Sequence, residues 1–442
     1  MMNGEPIAMY SIRNQRLLLA IMICSIVFLL SGCNMHMASE LSSDDLARAG
    51  RQSNTNTGLL LAHISTRMPA AQTNCPTTSP ARAALIAPLV IGKQQNLVYT
   101  YNTSSAAMLL RYDTSSRQKT TILSLDNVTI SDAQLSTDGQ FVLFATQVAN
   151  RLAIQMIRID GQGLQTLYCA PDNGARINFI DNLLWSPDQQ SIVFRTPGAT
   201  GTPPDPIIQL LHMNTGQLQT VMSTRNHTSY IPRAWLSNTQ LYMQGYSTND
   251  GVPPHDVYLF DIQSRNIKHI ALIRGYGWDL SLTTNRNELL LSQSGATPPQ
   301  GQPLPPGIIS AQPATGGRLH VVYASHVHAV TQVRSISATT LLFVLGGRSA
   351  SGEQDGLWKI NTDGSGLMLL TRDGKLLSDQ HTVWSCISRD GRMYAAIGYD
   401  YIPGSDKVLT RVVYGPLSGG PSTLAAIAQA GESAEIVGWT LM

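Results

Sequence analysis

The 442-residue sequence predicts an all-β fold: a β-propeller of about seven four-stranded blades, with six or eight as the neighbouring counts, behind an N-terminal signal peptide and a flexible tether. Three observations predict it. A short polar turn followed by an apolar strand recurs at a near-constant spacing. A second turn repeats in phase with the first. A basic, then apolar, N-terminal segment ends on a small-residue cysteine site.

The first repeat is plainest in three copies: Leu135-Ser-Thr-Asp-Gly-Gln-Phe-Val-Leu-Phe144, Trp185-Ser-Pro-Asp-Gln-Gln-Ser-Ile-Val-Phe194 and Ile387-Ser-Arg-Asp-Gly-Arg-Met-Tyr-Ala-Ala396. Each reads as a strand end, a tight turn and a second strand. Asp-Gly and its relatives suit such a turn because its central residues need positive φ or local side-chain hydrogen bonds. Weaker copies begin at Trp235, Leu282 and Ile336 and precede Leu97. Taking Gln94, Asp138, Asp188, Asn238, Asn285, Ala338 and Asp390 as turn positions, the intervals are 44, 50, 50, 47, 53 and 52. A period of about 49 residues suits a four-stranded blade.

The second repeat comprises strands running into turns at Leu110–Ser116, Ile157–Gly163, Leu211–Gly216, Leu259–Ser264, Ser310–Gly317, Lys359–Gly366 and Val413–Gly420. Seven inner hairpins therefore alternate with seven outer ones. One such sheet cannot bury both faces, so neighbours stack radially. One period past Asp390 falls near Trp439, which predicts that Glu435–Met442 pairs with the first blade and closes the ring, covering an open sheet edge. Ala83–Ile91 either competes for that place or adds an outer strand.

The S-x-D-G turn before a strand, joined to outer hairpins such as Ile360-Asn-Thr-Asp-Gly-Ser-Gly366 ahead of Leu369-Leu-Thr, resembles the TolB-type, WD-like propeller repeat across about residues 85 to 442. The resemblance implies the fold; propellers serve as binding platforms, scaffolds and some enzymes, so it implies no one activity. The chain departs from TolB in having about seven units rather than six, a lipobox, and no evident separate N-terminal α/β domain.

At the N-terminus, Arg13 and Arg16 precede the 14-residue apolar run Leu17–Leu30, and Leu30-Ser31-Gly32-Cys33 follows. The run is shorter than the ~20 residues needed to span a bilayer, which favours a signal peptide. Its last four residues resemble the bacterial lipobox, and that resemblance implies cleavage before Cys33, whose acylated thiol becomes the membrane anchor. The expected organisation is signal peptide 1–32, tether 33–82 with a short helix around 42–49, and propeller 83–442. The expected location is the cell membrane or envelope, outside the cytoplasm.

Beyond Cys33 lie Cys75, Cys169 and Cys386, which allow one disulfide in three pairings or none; small buried residues are the simpler reading. Only 13 % of residues are charged and the formal net charge is +2, a balance with no electrostatic footprint for nucleic acid.

Common nucleophile-elbow, zinc-protease, P-loop, dinucleotide and calcium-loop signatures are absent from the sequence. Ser116-Arg-Gln-Lys119 matches S-x-x-K but lies in an outer hairpin. His326 and His328, with His320 nearby, fit one strand face but have no neighbouring carboxylate, so packing outweighs metal binding. Asp138, Asp188 and Asp390 read as turn formers. Trp185, Trp235, Trp278 and Trp384 fall on or beside inner strands, where packing between blades outweighs lining a channel site. Pro-rich stretches at Gly201–Pro206 and Thr297–Gly307 read as long loops of the kind that carry binding function. The expectation is accordingly no catalytic residues, metal or cofactor. The expected protein is a lipid-anchored propeller that binds a protein, peptide or glycan partner. The alternative is a propeller hydrolase or lyase acting on an extracytoplasmic glycan or lactone, and a weaker third is a sensor or inhibitory domain once paired with a hydrolase.

Overall fold

The computed structural model describes residues 89–148, 151–170, 179–201, 204–224, 228–247, 255–273, 277–294, 307–325, 329–346, 356–372, 386–401 and 408–442. The signal segment, Cys33, the helix expected at 42–49 and Cys75 lie outside them.

Among the described residues, 27 strands form seven antiparallel sheets arranged as a β-propeller. Blade 1 comprises β27 (Ser433–Leu441), β1 (Gln95–Asn102), β2 (Ala106–Asp113) and β3 (Lys119–Asp126). Blade 2 runs from β4 (Thr129–Leu135) through β5 (Phe141–Val148) and β6 (Arg151–Arg158) to β7 (Gln165–Cys169). Blade 3 runs through β8 (Asp181–Trp185), β9 (Ser191–Gly201), β10 (Pro204–His212) and β11 (Leu218–Ser223). Blade 4 holds β12 (Thr228–Trp235), β13 (Gln240–Ser247), β14 (His255–Asp261) and β15 (Ile267–Ile273). Blade 5 holds β16 (Gly277–Leu282), β17 (Glu288–Ser294), β18 (Gly307–Pro313) and β19 (His320–Ser325). Blade 6 holds β20 (Ala329–Ser335), β21 (Thr340–Gly346), β22 (Gly356–Asn361) and β23 (Met368–Thr371). Blade 7 shows β24 (Met393–Tyr401), β25 (Val408–Pro416) and β26 (Thr423–Ala428), with a single bridge, Ile387 to Tyr394, in the innermost place.

Each blade's second strand is a nearly continuous apolar run because it is buried on both faces. In β5, Val142 and Phe144 join a cluster with blade 1, while Leu143 and Ala145 join one with blade 3. This is strand alternation turned sideways: successive side chains point to opposite neighbours. Seven buried clusters result, each lying between two adjacent blades. The outermost strands carry exposed apolar residues such as Leu218, Ile267 and Val321. Every blade has a register shift where its third strand meets its outermost one, and such bulges increase local twist.

The ring closes as the periodicity predicts. β27 pairs antiparallel with β1, from Gln95 opposite Leu441 to Asn102 opposite Ser433. Where other blades have a covalent inner turn, Gln94 and Met442 exchange backbone hydrogen bonds at 3.1 Å. Leu89–Gln94 forms no strand, and the rest of the 83–91 stretch lies outside the described residues.

Candidate functional site: the turn end of the channel

The innermost strands line the channel, and the hairpins that follow them gather at one end of the ring. Four of these turns share one hydrogen-bond scheme. Ser136, Ser186, Thr283 and Ser388 each donate a side-chain hydroxyl to the residue two positions on: Asp138, Asp188, Asn285 and Asp390. That carboxylate or amide oxygen then accepts the backbone N–H of Gln140, Gln190, Asn287 or Arg392. The residue between takes positive φ: Gly139, Gln189, Arg286 and Gly391. Asp138, Asp188 and Asp390 therefore build turns, as their residue type predicts.

Side chains one repeat apart stitch the channel wall together. Gln134 donates to the Leu183 carbonyl at 2.6 Å, and the Trp235 indole to the Leu184 carbonyl at 3.2 Å. Arg334 pairs with Asp279, and both are almost fully buried. Asp181 holds Arg195 through two hydrogen bonds of 2.8 and 2.6 Å. At the closing seam Arg389 donates to the carbonyls of Trp439 at 2.8 Å and Thr137 at 2.6 Å, tying blades 7, 1 and 2. Burial pushes the pKa of the Arg389 guanidinium down to about 10, against the opposing pull of Asp138.

A cavity of about 520 Å³ opens at this end, walled by blades 2 to 6. Leu135, Leu184, Trp235 and Ile336 supply apolar wall; Trp185, Ser281, Arg286 and Arg334 supply polar groups. Elsewhere along the channel wall, Glu435 is open to solvent, yet the protein crowded around it and the charge of Asp132 on the neighbouring innermost strand both raise its pKa. Burial also lowers the pKa of Arg233, with Asp279 opposing.

The remaining sequence candidates fall away from this cavity or pack around it. Ser116 donates to Asp113 in the β2–β3 turn, and Lys119 begins β3. His320 is exposed on an outermost strand, while His326 and His328 lie outside the described residues, as does Trp384. Trp278 sits in β16. Trp235 packs between blades 3 and 4, and Trp185 packs between blades 2 and 3 while lining the cavity. Cys169 is half of a disulfide whose other half lies outside the described residues; Cys386 is buried and takes no part in one. The disulfide corrects the simpler reading of Cys169 as only a small buried residue. A second correction concerns Gly201–Pro206, expected as a long loop: β9 and β10 extend into it, and Pro206 pairs with Pro197 beside a register shift, a place where a sheet tolerates proline.

Asp132, Asp181, Arg233, Asp279, Arg334 and Glu435 were not anticipated. Their signal is a charged residue on successive innermost strands, near the repeat spacing, in a chain with few charges.

No family model matches the chain, and no curated protein sequence matches it. Solved structures do. A prolyl endopeptidase aligns with a TM-score of 0.50 at 14 % identity over 79 % of this chain and 49 % of that one, so this chain spans about half that protein's length. TolB from Acinetobacter baumannii aligns with a TM-score of 0.43 at 13 % identity, covering 76 % of this chain and 82 % of that one. An oligogalacturonate lyase in complex with manganese gives 0.48 at 11 %, covering 78 % and 95 %. At such identities the likeness is one of fold: the chain is a seven-bladed β-propeller with TolB proteins among its structural neighbours.

Proposed function

We propose that this chain is a cell-envelope lipoprotein, anchored through Cys33, whose propeller binds a protein, peptide or glycan partner. The observation that carries the binding reading is the turn-end cavity, which combines apolar and aromatic wall with a few polar groups, the usual make-up of a ligand site. Its lining includes serines and threonines but, among the described residues, no histidine, lysine or carboxylate beside them to act as a base. The lipobox sequence supports the address.

The alternative, a hydrolase or lyase acting on an extracytoplasmic glycan or lactone, draws on Glu435. A carboxylate whose pKa is raised by the protein around it and by a second carboxylate is a candidate proton donor. One experiment separates the two readings: the full chain is incubated with peptide, glycan and lactone arrays, and bound and converted material are both measured. Saturable binding without conversion is expected. Turnover that Glu435→Gln abolishes would install the alternative. For the address, mass spectrometry of protein from a membrane fraction should find an acylated Cys33, and Cys33→Ala should leave the membrane; an unmodified, soluble wild type would refute the anchor.

A further inference from the structure

The turn-end cavity carries an uneven charge. Arg334 is neutralised by Asp279, but Arg286, at the mouth, is exposed and donates a 3.4 Å hydrogen bond to the Leu236 carbonyl. Among the described residues no carboxylate pairs with it. Two wall residues add unmet hydrogen-bonding capacity: the Trp185 indole N–H and the Ser281 hydroxyl have no partner, and Ser281 is 6 % exposed. Buried polar groups normally find partners, and these two atoms lie beneath the cavity wall, with almost none of either reaching the open volume. The remaining wall, with Leu135, Leu184, Trp235 and Ile336, is apolar.

We propose that this cavity is a subsite for a carboxylate carried on an apolar body, with Arg286 meeting the anion and the apolar wall receiving the body. The inference rests on the binding reading above and names its ligand chemistry. A guanidinium suits a carboxylate because its planar donors match the two oxygens. A wall with this much hydrocarbon favours an aromatic or aliphatic body over a polyhydroxylated one. The same chemistry occurs in a free small acid and in the last residue of a peptide.

Calorimetric titration of the full chain tests it with four probes: 3-phenylpropionate, its amide, N-acetyl-Gly-Phe with a free carboxylate, and galacturonate. The acid should bind at least about tenfold more tightly than its amide, the difference expected for losing a charge-assisted pair. Arg286→Gln should bring acid and amide within about twofold of each other, while Arg286→Lys retains part of the preference. Tighter binding of the peptide acid identifies a chain end as the source; binding of the small acid alone identifies a free acid. Equal binding of acid and amide, or of galacturonate and 3-phenylpropionate, overturns the proposal. An unchanged melting midpoint in Arg286→Gln shows that the variant is folded. If the array experiment finds a partner but Arg286→Gln binds it unchanged, this inference fails and the binding reading stands; if no array member binds, both fail.

Discussion

The two ends of the ring are built differently. At the turn end, the described inner hairpins have four or five residues between strands, as from Leu135 to Phe141 and from Trp235 to Gln240. At the opposite end, connections range from two residues between Asp126 and Thr129, through twelve between Ser294 and Gly307, to fifteen between Thr371 and Ile387. The turn end is fixed by side-chain hydrogen bonds that repeat in blade after blade, and it carries the cavity. Its constancy follows from local chemistry, whereas connection length at the other end is limited only weakly, because closure entropy grows slowly with loop length.

The largest expected effect comes from the seam. Arg389→Ala removes the strap across three blades and should cost about 2–3 kcal/mol, on the scale of charged hydrogen bonds to buried carbonyls. The counterpart at the other end is the partly exposed Arg411–Asp400 pair at 2.7 Å; Arg411→Ala should cost less than about 1 kcal/mol. Urea unfolding of both variants checks the contrast, and equal losses would break it.

A smaller effect should appear in the turn itself. Gln189 occupies positive φ in a turn where two other copies have glycine, so Gln189→Gly should raise stability by roughly 0.5–1 kcal/mol. A loss would mean that the side chain contributes more than its backbone costs.

The smallest effect concerns pH. Burial would raise the pKa of Asp113, but hydrogen bonds from Ser116 and Ser115 outweigh it and bring the group down to about 2. Its folded pKa lies below the unfolded value, so its contribution is present above about pH 4 and lost as the pH falls towards about 2. Unfolding midpoints at about pH 5 and about pH 2.5 should show a shallow loss that Asp113→Asn lacks.

Much of this architecture was legible in sequence because its causes are local and periodic. Asp138, Asp188 and Asp390 announce turns by residue type, and their spacing places Trp439 where the closing strand must lie. The cavity was not legible. Arg286 reads as an ordinary surface turn residue, and only the ring brings it to the same cavity as Trp185, in a blade two places earlier in the chain. Proline misled at Gly201–Pro206, where a register shift accommodates what normally ends a strand.

If local chemistry fixes the turn end and leaves the other end free, the two should respond differently to the same insertion. Gly-Ser-Gly placed between Gln189 and Gln190, and separately between Gln300 and Gly301, tests this most directly by urea unfolding. The first should cost about 2 kcal/mol, because it parts Asp188 and Ser186 from the backbone groups they hold. The second lengthens a twelve-residue connection and should cost less than about 0.5 kcal/mol. Equal costs, or a larger cost for the second, would contradict this division of the ring.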